Sequence, residues 1–189
     1  VHLGTSSIHG VVSLLGAASA SPDESVYAQL TLGESTVSTW GQPFVLRSIS
    51  PVETLGGGQV LVPTANRLKR IDEQQIRLLE QLTQDDPQRR ISAAAFFAAQ
   101  RRWRPVDLFA MAGVDDVEVR AAQLVEAGDL TALALGNGDS QLLHPDVAND
   151  LMQRIANVLA SEHANTPLQD YVEMSRLRKS FAGVDNALF

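Results

Sequence analysis

The stretch Phe44-Val45-Leu46-Arg47-Ser48-Ile49-Ser50-Pro51-Val52-Glu53-Thr54-Leu55-Gly56-Gly57-Gly58-Gln59-Val60-Leu61 holds the change of direction on which the fold depends. An apolar, β-branched run from Phe44 to Ile49 ends at Ser50-Pro51, a turn signal. Three consecutive glycines then precede Gln59-Val60-Leu61-Val62. Glycine tolerates bulges, barrel corners and close approach of another backbone, so the run fits either a sharp corner or a contact surface. Both readings stay open at this point.

Outward from this stretch, the first third of the chain keeps the same grammar. Ser7 to Val12, Val26 to Leu32, Phe44 to Ile49 and Gln59 to Val62 are short runs with partial alternation, separated by Gly, Pro, Ser and Asp. Such runs predict a small barrel or sandwich. Past Pro63 and the basic segment Arg67-Leu68-Lys69-Arg70 the apolar residues recur with helical period. Asp72 is a cap candidate for a helix carrying Ile76, Leu79 and Leu82. A second helix is expected from about Ser92, its candidate cap, to Arg101, and a short third one after Pro105, ending at Ala112-Gly113. A fourth is expected over Asp116 to Ala127, with Gly128 as its stop. Leu130 to Leu135 and Ser140 to Pro145 flank Gly136-Asn137-Gly138-Asp139, a hairpin signal. Helices followed by such a hairpin predict a winged helix. Asp146 is the cap candidate of a long helix to about Ala164, and Met174 to Phe181 predicts one more.

Composition narrows the function classes. The 189 residues contain 44% hydrophobic and 20% charged residues and no cysteine. That is the balance of a globular protein able to bury a core, and it excludes disulfides, thiolate catalysis and cysteine-bound metal. No apolar run reaches the roughly 20 residues a membrane helix needs, so no membrane partner is expected, and the cytoplasm is the expected location. The net charge of −7 opposes a surface built throughout to attract nucleic acid, so any RNA contact must be local. The four histidines lack ligand spacing and no metal site is expected. Asp85-Asp86 and Asp115-Asp116 lie at helix starts, where capping accounts for them. No catalytic constellation stands out, and the chain is expected not to be an enzyme.

Arg47, Ser50, Pro51, Thr54, Gly56, Gly57 and Gly58 together match an R-x-x-S-P-x-x-T-x-G-G-G signature. With the opening strand His2-Leu3-Gly4-Thr5, this resembles the third domain of the bacterial selenocysteine-specific translation elongation factors. His163 to Leu168 is similar to the point where that family enters its second winged helix. The chain departs from the pattern at Gln42-Pro43, where family members often carry Asp-Arg.

The fold class implied is multidomain β plus α, an elongation-factor-type β-barrel followed by winged-helix domains. The boundaries expected are a six-strand-type barrel over 1–66, a basic linker over 67–71, a winged-helix domain with flanking helices over 72–165, and the truncated start of a second winged helix over 166–189. The chain would then be a fragment. Its GTPase domain, with GTP and magnesium, and the winged helices that read the selenocysteine-insertion mRNA hairpin would lie outside it, and no cofactor is expected within it.

The function implied is delivery of selenocysteyl-tRNA to the ribosome at recoded UGA codons. Arg47 and Thr54 would contact phosphate or 2′-OH groups while Gly56, Gly57 and Gly58 let the RNA strand approach, and Arg67, Lys69 and Arg70 of the linker would add charge. The first winged helix reads as a spacer or protein contact, since Asp115, Asp116, Glu118 and Glu126 oppose phosphate binding. Gln100-Arg101-Arg102-Trp103-Arg104 has two readings, an RNA-stacking cluster or a core Trp with a solvated helix end, of which the second fits better. The rival functions are a winged-helix transcription regulator with a β sensor domain and a protein-binding adaptor.

Overall fold

The computed structural model describes residues 1–68, 70–104, 107–135, 140–166 and 171–181. Six strands come first: β1 His2–Leu3, β2 Ser6–Ser7, β3 Gly10–Leu15, β4 Tyr27–Leu32, β5 Pro43–Arg47 and β6 Thr54–Gln59. They form two antiparallel ladders, one of order β2-β1-β5-β6 and one pairing β3 with β4. The run expected as one strand from Ser7 to Val12 is split. Ser7 ends β2 and Gly10 begins β3, where a Cβ would stand 2.8 Å from the Thr31 carbonyl oxygen. The last strand is also displaced from the expected Gln59 to Val62. It begins at Thr54, and the three glycines lie within it, opposite Phe44, Val45 and Leu46.

The helical part follows at Asp72. Its carboxylate accepts the Gln75 N–H at 2.8 Å, and the Gln75 side chain accepts the Asp72 N–H at 3.2 Å. This reciprocal cap starts α1 (Glu73–Leu82). The second helix, α2 (Pro87–Ala98), begins earlier than the expected Ser92. Asp86 is its cap, accepting from the Gln88 and Arg89 amides at 3.0 and 3.3 Å, with Pro87 at the first helical position. Ser92 lies inside the helix, and its hydroxyl donates to the Asp129 carbonyl at 3.4 Å. The chain continues through α3 (Asp107–Ala112), α4 (Val117–Ala127), the antiparallel pair β7 (Thr131–Ala134) and β8 (Ser140–Leu143), α5 (Pro145–Asn165) and α6 (Met174–Ser180). Gly128 ends α4 at φ +83°, as expected of a left-handed cap. The turn expected over Gly136 to Asp139 lies outside the described residues. The cap of α5 is His144 rather than Asp146, because Pro145 occupies the first helical position and the imidazole Nδ1 accepts the Asp146 N–H at 3.2 Å.

Small side chains make α2 the centre of the core. Ala93, Ala94, Ala95 and Ala98 are buried, so neighbouring helices approach closely around Leu82, Ile91, Leu108, Leu124 and Leu130. Each fully buried leucine stabilises the fold by about 1.5–3 kcal/mol. The one buried polar side chain among the described residues, Gln141 of β8, donates to the carbonyls of Gln100 and Arg101 at 3.4 and 3.0 Å. It thereby fastens the β7–β8 pair to the end of α2. A separate cluster of Leu151, Leu177 and Phe181 joins α5 to α6.

The two halves are packed together. Leu15, Tyr27, Trp40, Leu61 and Val62 of the β domain lie against the helical core. Trp40 N–H donates to the Ala110 carbonyl at 2.7 Å, and the Arg90 guanidinium sits 4.5 Å over its ring. Gln29 of β4 holds the connecting segment at both polar ends of its amide, donating to Asn66 O at 2.8 Å and accepting from Leu68 N at 3.0 Å.

Candidate nucleic-acid interface

The β5–β6 hairpin presents the signature residues. Arg47 closes β5 and is paired with Thr54, the first residue of β6, while Leu46 pairs with Gly56, so Leu55 is an extra residue bulged out of the ladder. Ser48 holds the connecting loop. Its N–H donates to Glu53 O at 2.9 Å, its Oγ accepts the Glu53 N–H at 3.0 Å, and the same oxygen lies against the Pro51 carbonyl. Arg47, Thr54 and all of β6 are exposed. Arg47 takes part in no ion pair or hydrogen bond with a described side chain, so its charge is available to solvent.

The glycines divide by cause. A Cβ on Gly57 would stand 2.7 Å from the Phe44 carbonyl oxygen, and one on Gly58 would stand 2.9 Å from the Phe44 ring. Packing against the β5 backbone therefore demands glycine at Gly57, whereas at Gly58 the Phe44 ring would have to turn aside. Gly56 has nothing within 4 Å of an added Cβ, and its neighbourhood is open. Bulge geometry and accessible backbone coexist in one strand.

Arg67 and Arg70 are exposed in the connecting segment, and Lys69 lies outside the described residues. No hydrogen bond or ion pair among the described residues joins these linker cations to Arg47 or Thr54.

Of the Arg-Trp cluster, Trp103 and Arg101 are drawn into the fold, while Arg102 and Arg104 are exposed. Trp103 is 7% exposed and part of the core, so its ring faces cannot stack on bases. Arg101 donates to the carbonyls of Ala98, at 3.3 Å, and Thr64, and burial pushes its pKa down. Arg104 is held by Asp107 at 3.1 Å, and that hydrogen bond lowers the carboxyl pKa. On α4 the exposed positions are Glu118, Val119, Ala122, Gln123, Glu126 and Ala127, while Arg120 is half-buried. That helix offers phosphates two carboxylates and no fully exposed cation.

Between the ladders lies a cleft of about 1370 Å³, bordered by the glycine strand, by β3 and β4, and by the start of α5. Among the described residues lining it there is no Lys, Arg or His, while Asp23, Glu24, Asp146 and Asp150 are present. Arg47, Arg67 and Arg70 are thus not among the residues lining this cleft. Among the described residues no group of three His, Asp or Glu side chains is placed to hold a metal ion, and no helix is long and apolar enough to cross a membrane.

Residues 1–67 match the family model described as the selenocysteine-specific elongation factor, beta-barrel domain. No curated protein matches the chain.

Proposed function

We propose, proceeding from the match of residues 1–67 to the β-barrel domain of the selenocysteine-specific elongation factors, that the chain is a fragment of the cytoplasmic factor delivering selenocysteyl-tRNA to the ribosome at recoded UGA codons. The observation that carries this reading is the family match over a domain whose signature hairpin stands exposed, with Arg47 and Thr54 side by side at its end. Arg47 would pair with a tRNA phosphate and Thr54 with a phosphate or 2′-hydroxyl. The main chain at Gly56 would allow the ribose-phosphate strand to approach. Such contacts position an RNA helix without reading its sequence.

The helical part would be a winged helix formed by α2, α3, α4 and the β7–β8 ribbon. Its role would be to carry the barrel's orientation toward the segments of the factor that bind the mRNA hairpin. The two exposed carboxylates of α4 favour this spacer role over DNA reading, and so disfavour a transcription regulator. Nucleotide hydrolysis, with its GTP and magnesium, would belong to a GTPase domain elsewhere in the factor.

The test is tRNA affinity of the full-length factor carrying Arg47→Ala and Thr54→Ala. The expected result is a roughly 3- to 30-fold loss, a salt dependence shallower by about one phosphate contact, and unchanged GTP binding. Unchanged tRNA affinity in the folded double variant would remove the hairpin from the interface.

A further inference from the structure

The outer edge of β6 has no partner strand among the described residues. The strand is last in its ladder, and no backbone hydrogen bond among the described residues reaches its far side. Sheet edges of this kind are usually blunted with lysine, proline or a covering segment, because bare N–H and C=O groups recruit another strand. From Thr54 to Gln59 this edge carries no charge and no proline, and three of its six residues lack side chains. Leu55 is 68% exposed.

The same strand forms one wall of the cleft between the ladders. Val12, Leu30, Leu32 and Leu46 contribute apolar surface to the other walls, and Val12 is 40% exposed. Apolar surface of this extent left in contact with water marks a binding site. The charges decide what it binds. With Asp23, Glu24, Asp146 and Asp150 at its margins and no Lys, Arg or His side chain among the described lining residues, a phosphate drawn into the cleft would be repelled by these carboxylates. A cationic chain would meet attraction.

We propose that this cleft is a docking site for an extended polypeptide segment of another protein, rich in alternating apolar and basic residues. The segment adds as a strand to the free edge of β6. One face of it sets apolar side chains against Val12, Leu30 and Leu32, and its Lys or Arg side chains reach the four carboxylates. The glycines let the added backbone lie close, and Leu55 supplies the apolar contact at the bulge. The chain's own end does not have this chemistry, since residues 182–189 (AGVDNALF) contain an aspartate and no Lys or Arg.

The experiment uses the 189-residue chain and three probes: a ten-residue peptide alternating valine and lysine, its counterpart with glutamate for lysine, and a ten-nucleotide oligouridine. Fluorescence anisotropy gives affinity, and amide hydrogen exchange gives location. The valine-lysine peptide is expected to bind, to slow exchange at Leu55 to Gln59, and to lose about tenfold in affinity when Asp23→Asn and Asp150→Asn are combined. The glutamate peptide is expected to bind at least tenfold more weakly. Equal affinity for both peptides, or binding that leaves exchange at Leu55 to Gln59 unchanged, overturns the proposal. Protection of those amides by oligouridine assigns the cleft to RNA instead. A concentration-dependent dimer abolished by Leu55→Glu assigns it to a second copy of the chain.

Discussion

The indole N–H of Trp40 donates to the carbonyl of Leu82 at 3.0 Å. Leu82 is the last residue of α1, so a side chain from the β domain satisfies one of the carbonyls that a helix end leaves without a partner. The backbone of Trp40 is meanwhile tied to Ala110 of α3, and Arg90 of α2 covers the ring. One residue therefore engages three helices.

Trp40→Phe keeps a ring for Arg90 but removes the N–H, and should cost about 1 kcal/mol in urea-induced unfolding. Trp40→Ala should cost about 2–4 kcal/mol, because half-buried packing is lost as well. It should also let the β and helical parts unfold in separate steps, seen as a biphasic transition. A single transition for Trp40→Ala would show that other contacts suffice to couple them.

Gly113 sits beneath the same indole. A Cβ there would stand 2.2 Å from the Trp40 ring, and the backbone is left-handed at φ +60°. Gly113→Ala should destabilise by about 2 kcal/mol or more through strain and displacement together. In a Trp40→Ala background the cost should fall toward that of the backbone alone. Additive costs in the double-mutant cycle would mean that the two sites do not couple.

The glycine signature yields a stability prediction separate from any RNA effect. Gly57→Ala should destabilise more than Gly58→Ala, because the first Cβ meets the Phe44 backbone and the second meets a ring that can turn. The expected costs are about 2 and about 1 kcal/mol. Replacing Gly57 therefore cannot by itself report on tRNA contact, whereas Arg47 and Thr54 are exposed and can be changed without disturbing the ladder.

Much of the fold was legible because local chemistry and tertiary packing agreed. Asp72 followed by a 3.6-residue period gave α1 its start, and Gly128 gave α4 its end. Where two caps competed the sequence was ambiguous. Asp86-Pro87 begins α2 because proline suits the first helical position, and Ser92, though a good cap residue, is taken into the helix by the alanine face that packs the core. His144 displaces Asp146 for the same reason at Pro145. The glycine run concealed β6, since glycine disfavours strands and only the approach of Phe44 across the ladder explains it. Interdomain packing left no periodic trace. Trp40 follows a polar loop, and nothing in its neighbours points to Leu82. The candidate cations were readable as residue types, but not that Arg47 would close β5 beside Thr54.

His144 supplies the final prediction, a pH dependence. Its ring packs edge-on against Phe96 at 5.3 Å and its Nδ1 caps α5 by accepting the Asp146 N–H. Only the neutral imidazole can accept at that atom. Burial lowers the pKa from the ordinary 6.5, outweighing the opposite pull of the Asp146 and Asp129 carboxylates. The fold therefore favours the neutral form. The stability it contributes is present above the unfolded pKa of about 6.5 and is lost as pH falls through the lower folded value. Protonation at acid pH then leaves the first turn of α5 without its cap, and the urea midpoint should drop as the pH falls below about 6.5. His144→Asn keeps an acceptor that does not titrate, so this variant should show a flatter profile over that range and a midpoint closer to the parent's at the acid end. Parallel profiles for parent and variant would place the acid sensitivity in other groups. A steeper fall in the variant would mean that the charged imidazole is held by Asp146, whose carboxylate lies 3.7 Å from it.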